Sequence, residues 1–407
     1  MLIKLAWRNI WRNKRRSIIT ILAVTFAVML SIAMRGLQLG TYDLNIRNAV
    51  ELFSGYLQIQ REGYQTSPTL HKSFRFDKKI RKICEDQPQI IGYTPRIVGD
   101  GLISFRDNSL GAAILAIDPQ TEPAVSTLLK KLNAGQMFAS DTTDEIVVGY
   151  KLLKNLKTAI GDTVVVLSQG FDGSLGNLKF RIIGTLKTGA PELDQGAVVM
   201  GLSTAQNLLS MYGRISMIAI SLARLNDIDA VQKQLNDALS GSKLTTLRWN
   251  QIMPELQQAI EMDNIGGKLF LAILLLVVAF GITNTVLMSV TERFQEFGVT
   301  LAIGMPQKKL VSLVFIETIL MTLVGLAFGN LLAMGINYYL TLHPIVFGGD
   351  YAKLYQEYGF LPQLQSTLQP DIFINITVVV LIIALIACLY PLAKVYRLAP
   401  LKGIRYT

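Results

Sequence analysis

Four stretches of the chain are apolar for long enough to cross a bilayer: Ile18–Met34, Leu269–Val290, Leu310–Leu342 and Ile372–Leu392. The second runs for 22 residues without a charge, and a helix of that length spans about 33 Å. The first, at 17 residues, sits at the short end of what spans. The chain between the first two stretches has a different pattern. Ser54–Gln60 alternates with a strand's period, and Gly101–Phe105, Ala112–Ile117, Glu145–Gly149 and Met217–Leu222 also predict strands. Asp162–Ser168 and Leu178–Leu186 predict a hairpin around GFDGSLGN, where Asp172-Gly173 is a strong turn signal. Helical spacing predicts Phe76–Asp86, Tyr150–Lys157, Ser203–Met211 and Asp227–Leu239, and a turn leading into a helix in DPQTEPAVSTLLKKL. Arg35–Phe53 and Trp249–Asp263 read as polar helical stalks continuing the first two spans. The expected fold is a membrane α-helical protein of four transmembrane helices, with an α+β extracytoplasmic domain inserted between helices 1 and 2. The expected divisions are 1–38, 39–265 and 266–407.

Between the second and third spans lies VTERFQEFGVTLAIGMPQKK, Val290–Lys309. Phe294, Phe297 and Leu301 recur at helical spacing, while Glu292, Arg293 and Glu296 occupy other faces. Gly304 supplies a stop and Pro306 can open the next helix. A short amphipathic helix over 291–304, joined closely to two spans, is the expectation.

Charge sets the orientation. Residues 1–17, the 290s loop and the C-terminal tail hold 13 basic and 2 acidic residues, whereas the rest of the chain holds 26 and 27. The formal net charge of +10 therefore lies at one side of a four-span topology, the side the positive-inside rule assigns to the cytoplasm. Both termini and the 290s helix are expected there, and the large domain outside. Because the basic residues flank hydrocarbon-length spans, membrane lipids rather than nucleic acid are the expected counter-charge. In LAWRNIWRNKRRS, Leu5, Trp7, Ile10 and Trp11 stand among basic residues, the pattern of a helix lying in the membrane interface.

Several chemistries are excluded by what the sequence lacks. No Gly-x-x-x-x-Gly-Lys-Ser/Thr stretch is present, and the spaced glycines of GFDGSLGN lead into neither Lys-Ser/Thr nor a helix. Cys84 falls outside and Cys388 within a span, so they cannot pair, and with two histidines they form no metal constellation. Glu317 is an acid inside a span, read as a partner for a basic residue near the 290s turn, with proton transfer as the alternative. Gly325 and Gly329, extended by Ala333, form a small-residue stripe that serves packing within the chain or between chains.

The segment NTVLMSVTERFQEFGVTLAIGMPQKKLVSLVFIETIL resembles the membrane core of the MacB/FtsX-type ABC transporter permeases, through Met288, Val290, Glu292, Arg293, Glu296, Gly298, Ala302 and Gly304. The tail YPLAKVYRLAPLKGIRY is similar to that family's closing motif. Within the outer domain, AILAIDPQTEPAVSTLLKKLNAG, EIVVGYKLLKNLKTAIGDTVVV and RIIGTLKTGAPELDQGAVVMGLSTAQNLL resemble the lipoprotein-releasing permeases, with Ala116 where that group has glycine. The resemblance implies a non-catalytic subunit of the bacterial inner membrane. It binds no cofactor itself, and ATP and magnesium belong to a separate dimer of ABC ATPase subunits. Residues Glu292, Arg293, Phe294, Glu296, Phe297, Gly298, Leu301, Ala302 and Gly304 would form the segment coupled to that ATPase. A second permease, identical or paralogous, is implied, as is a lipoprotein or other hydrophobic cargo, with a periplasmic carrier as a further partner. Acyl chains would enter beside Ala33, Met34, Leu37, Asn264 and Leu269. The alternatives are MacB-like efflux of peptides or drugs and FtsX-like activation of a periplasmic hydrolase.

Overall fold

The computed structural model describes residues 2–12, 14–224, 227–357 and 360–397. The chain forms two compact units, one of Met1–Asp43, Ala259–Val346 and Gln363–Thr407, the other of Leu44–Gln258 and Phe347–Pro362.

The first unit is helical: α1 (Leu2–Arg12), α2 (Lys14–Ala49), α3 (Pro254–Glu292), α4 (Phe294–Ala302), α5 (Gln307–Leu342) and α6 (Pro370–Tyr396). Among the described residues, α2, α3, α5 and α6 are the four helices long and apolar enough to cross a membrane. Their shared core holds Val24, Val28 and Ile32 of α2, Val286 and Val290 of α3, Val314 and Leu326 of α5, and Val380 and Ala384 of α6. Lipid supplies no hydrophobic drive between helices, so close backbone approach must hold α2 to α5. A Cβ on Gly325 would stand 2.8 Å from the Val24 Cβ, and one on Gly329 would stand 2.7 Å from that of Val28. Thr25 Oγ1 donates to the Gly325 carbonyl at 3.2 Å, and Ala333 is fully buried further along the stripe. The stripe therefore packs within the chain. Asn330 and Thr377 make a side-chain bond at 2.9 Å that joins α5 to α6. Helix α3 is the least enclosed: 17% of its apolar stretch is buried, against 44% for α2 and α5. Leu269, Phe270, Ile273, Leu276, Val277 and Phe280 are left exposed along it.

The second unit is built on strands β1 (Leu57–Arg61), β2 (Phe74–Arg75), β3 (Ile90–Phe105), β4 (Asn108–Ile117), β5 (Leu132–Gly135), β6 (Glu145–Gly149), β7 (Thr163–Gln169), β8 (Leu175–Leu186), β9 (Ala197–Gly201), β10 (Arg214–Ile215), β11 (Met217–Leu222) and β12 (Leu244–Arg248). Ten of them form one mixed sheet in the order β12-β1-β11-β3-β4-β9-β6-β8-β5, with β7 bridging β3 and β8. The β4–β9 and β6–β8 pairs are parallel. Helices Lys78–Glu85 and Ile228–Ala238 cover one end through Ile80, Cys84, Val231 and Leu235, and Tyr150–Leu156 and Leu202–Leu208 cover another through Leu152, Leu156, Ala205 and Leu208.

A buried ion pair fixes the end of α2 in this unit. Arg96 of β3 and Glu122 are both fully buried, with Arg96 Nε 3.0 Å from Glu122 Oε2. The guanidinium lies 4.1 Å over the Phe53 ring and donates to the Phe53 carbonyl. Phe53 belongs to the π-helical turn Val50–Ser54 that closes α2.

Three sequence expectations are corrected. DPQTEPAVSTLLKKL forms two 3₁₀ turns, Glu122–Ala124 and Leu128–Lys131, and then β5. Pro123 breaks the ladder and Arg96 draws Glu122 inward, so no longer helix forms. Strand β1 forms where its alternation places it, and both its faces are covered: Gln58 and Gln60 are buried along with Leu57 and Ile59. Their amide nitrogens bond locally: Gln60 Nε2 donates to Gln58 Oε1 at 2.6 Å, and Gln58 Nε2 donates to the Ser54 carbonyl at 2.7 Å, while Gln60 Oε1 has no partner among the described residues. The second stalk is not one helix, because Trp249–Ile252 ends at Met253, which leaves the helical region ahead of proline (φ −119°, ψ 68°), and Pro254 opens α3. Finally, Phe347–Pro362, with its helix Gly349–Glu357, clusters with the second unit, although the expected boundary placed it in 266–407.

Candidate functional site

The chain reverses between α3 and α5 with almost no slack. Helix α3 ends at Glu292 and α4 begins at Phe294, with Arg293 out of helical geometry at φ −98°, ψ 12°. The expected helix over 291–304 is therefore divided, and α4 itself is Phe294–Ala302. Gly304, at φ +105°, is in the left-handed region that stops a helix, and Pro306 caps α5.

Phe294 and Phe297 point inward and join the core around Val290, Leu310 and Val314; Gly298 is buried with them and Leu301 is half-buried. The opposite face carries Gln295, Val299, Ala302 and Ile303, which are exposed, Ile303 at 83%. These four lie at i, i+4, i+7 and i+8, so they share one side of the helix.

The charged residues of the turn are held from inside the unit. Arg293 is 7% exposed, and its Nη1 lies 2.8 Å from Oε2 of Glu317, itself 6% exposed. Asn9 Nδ2 of α1 donates to the other carboxylate oxygen of Glu317 at 2.6 Å. The Arg293 guanidinium also sits 4.9 Å from the Phe297 ring centroid and 3.4 Å from Glu296. Arg12 pairs with Glu296 and Arg16 with Glu292. Three residues before or at the start of α2 thus clamp the turn: Asn9, Arg12 and Arg16. A cavity of about 20 Å³ lies against this cluster, bordered by Asn9, Arg16, Arg293 and Glu317. Removing one member of a buried pair leaves an uncompensated charge, so the cluster acts as a lock on α4.

At the other end of α2 and α3, Asn264, one of the residues expected to line an acyl cavity, enters a polar network between the two helices. Arg35 Nη1 donates to Asn264 at 2.8 Å, Gln38 Nε2 donates to the Asp263 carbonyl at 3.0 Å, and Tyr42 bonds to the Asp263 carboxylate. The cleft beneath them is about 10 Å³ and is bordered by Met34, Phe270, Leu271 and Leu274. Ala33 and Leu37 are half-buried, while Leu269 is exposed. The end of the closing tail motif, residues 398–407, lies outside the described residues.

Asn9, Arg12, Arg16, Gln38 and Tyr42 were not singled out from sequence. A signal existed for the first group. A run of basic residues in one loop and a pair of acids in another, both placed on one membrane side, predict mutual pairing. In the outer unit, burial pushes the Cys84 thiol up to about 12, consistent with a packing role.

Two family models match the chain: the MacB-like periplasmic core domain over residues 17–238 and the FtsX-like permease C-terminal domain over 268–400. The lipoprotein-releasing system transmembrane protein LolC of Xylella fastidiosa is 23% identical over 399 residues, covering 95% of this chain and 91% of that protein. An uncharacterized ABC transporter permease of Methanocaldococcus jannaschii is 20% identical over 416 residues, covering 99% and 97%. The macrolide export ATP-binding/permease protein MacB of Acinetobacter baylyi is 26% identical over 290 residues, covering 66% of this chain and 40% of that protein. With the first model spanning more than half of the chain and the second most of the remainder, the chain belongs to the MacB/FtsX-type ABC transporter permeases.

Proposed function

We propose that the chain is the permease subunit of an ABC transporter that releases lipid-anchored cargo, lipoproteins first among them, from the outer leaflet of a bacterial inner membrane. Both termini and α4 lie on the cytoplasmic side in this reading, and residues of the second unit lie outside. Separate ATPase subunits bind ATP and magnesium and dock on the exposed face of α4. The observation that carries the proposal is how closely that helix is tied to its neighbours. One residue separates it from α3 and four from α5, its aromatic side is in the core, and Arg293–Glu317 locks its start. A push on Val299 and Ile303 therefore moves two spans as a body, which is how closure of a motor dimer becomes movement within a membrane.

The chain works beside a second permease, identical or paralogous, and the poorly enclosed face of α3 supports such a neighbour. A carrier outside would accept the cargo. Likeness to LolC over nearly the full length supports lipoprotein release over the MacB reading, efflux of a peptide or drug. The test is purification of the complex from its native membrane, with identification of every co-purified chain and cargo. Acylated proteins are expected; an outer-membrane channel or a cell-wall hydrolase in their place would overturn the cargo assignment.

A further inference from the structure

Helix α1 makes two kinds of contact, on different sides. Ala6 and Ile10 are buried against the bundle, and the Ser17 hydroxyl holds the Ile10 carbonyl at 2.9 Å. Asn9 and Arg12 reach Glu317 and Glu296, the residues that fix α4. Among the described residues the outward side of the helix is left exposed. Ile3, Trp7 and Trp11, four residues apart, are exposed at 64%, 48% and 55%, with the two indoles in edge contact at 6.1 Å. Next to them around the helix stand Lys4 and Arg8, and Lys14 and Arg15 follow at the start of α2. Among the described residues none of these four cations has a carboxylate within 4.0 Å, whereas Arg12 and Arg16 each have one. The apolar strip continues onto α2 through Ile18, Ile19 and Leu22, all exposed on a helix long enough to span a membrane.

An apolar ridge with an indole pair, bordered by unpaired cations and continuous with a spanning helix, fits one chemistry. Indoles settle at the level of the headgroups, and clustered Lys and Arg beside them attract negatively charged lipid. A neutral or acidic protein surface would meet either the apolar ridge or the cations, but a leaflet of anionic phospholipid meets both at the right depth. We infer that α1 is a binding surface for anionic phospholipid, and that lipid bound there stabilises the clamp that Asn9 and Arg12 place on α4. Lipid orders α1 on the membrane plane. Ordered α1 presents Asn9 and Arg12 to Glu317 and Glu296 at no further conformational cost, and a firmer clamp makes α4 a stiffer element. A permease in a leaflet poor in anionic lipid would have a looser α4. Neither step requires the docking role proposed for α4; only an effect of lipid on ATP-driven coupling would rest on it.

The test uses the full chain alone, without ATPase or cargo, so its failure is separate from failure of the functional proposal. The chain is reconstituted into phosphatidylcholine vesicles and into vesicles of phosphatidylcholine with phosphatidylglycerol. Hydrogen exchange is followed at residues 294–304, and fluorescence quenching by bromine-labelled acyl chains in a Trp249→Phe background. Exchange at 294–304 is expected to slow by about tenfold with phosphatidylglycerol, and Trp7 and Trp11 to be quenched more strongly. The quadruple variant Lys4→Gln, Arg8→Gln, Lys14→Gln, Arg15→Gln, which leaves the clamp residues intact, is expected to lose the lipid dependence. Arg12→Gln is expected to exchange fast in both membranes while its indoles still respond to lipid. Equal exchange at 294–304 of the unsubstituted chain in the two membranes would overturn the inference. So would lipid-dependent protection that survives in the quadruple variant.

Discussion

The most informative perturbation is removal of the pair that locks α4, by Glu317→Ala. Arg293 and Glu317 stand 2.8 Å apart and almost fully buried. At an effective dielectric of about 20, unit charges at that separation attract by about 6 kcal/mol, of which desolvation of both groups consumes a large part. Losing Glu317 alone removes the attraction and keeps the desolvation cost of Arg293. It also orphans the Asn9 amide, which donates to the same carboxylate at 2.6 Å. The expected loss is about 3–5 kcal/mol. Arg293→Met alone should cost a similar amount, whereas Arg293→Met with Glu317→Met should cost under about 1 kcal/mol, because paired apolar replacements of similar volume leave no buried charge. With Glu317→Met as the second single substitution, the coupling energy from the double-mutant cycle is then about 5 kcal/mol or more. Reversible unfolding in mixed micelles gives the global values, and hydrogen exchange at 294–304 shows whether the loss is local to α4. Near-additive single substitutions would refute the lock, since residues that do not interact show no coupling.

Four further outcomes follow from the same packing. Ile303→Asp and Val299→Asp should leave unfolding within about 0.5 kcal/mol of the parent, as exposed substitutions do, yet uncouple ATP hydrolysis from transport in the reconstituted complex; retained coupling would remove the docking role. Phe297→Ala should instead cost about 3–5 kcal/mol, measured by unfolding, because that ring is in the core, and Phe294→Asp would report on packing before it reported on docking. Gly329→Val places its Cβ 2.7 Å from that of Val28 and should cost about 1–3 kcal/mol, visible as a lower thermal midpoint in micelles. Cys84 and Cys388 are both buried, and the thiol of Cys84 is pushed up to about 12, so iodoacetamide at neutral pH should label neither until the protein unfolds.

Hydropathy and period located the four long helices and most strands, because a spanning helix must be apolar along its whole length and a half-buried strand must alternate. Positions governed by a distant partner were less legible. Nothing local in DPQTEPAVSTLLKKL shows that Glu122 turns inward, since the cause is Arg96 on β3. Nor does the alternation of Leu57–Arg61 show that both faces of β1 are covered, because this depends on strand order rather than on sequence period. In the candidate site, the helix stop at Gly304 and the apolar spacing of Phe294 and Phe297 were readable. The clamp from α1 was not, because Asn9 and Glu317 are separated by 308 residues. Glu317 in an apolar span announced that a partner must exist, and the fold supplied two, Arg293 and Asn9.

The internal capture of Glu292, Arg293 and Glu296 changes what the letters of this turn can tell a reader of genomes. Val290, Arg293 and Gly298 are buried and Glu292 and Glu296 are ion-paired within the chain, so sharing them identifies a common turn architecture before it identifies a motor. Under the docking role proposed for α4, choice of motor would be written at Val299 and Ile303, which face outward between those fixed letters. Two permeases alike in the first set and different in the second would be the same machine fitted with different plugs.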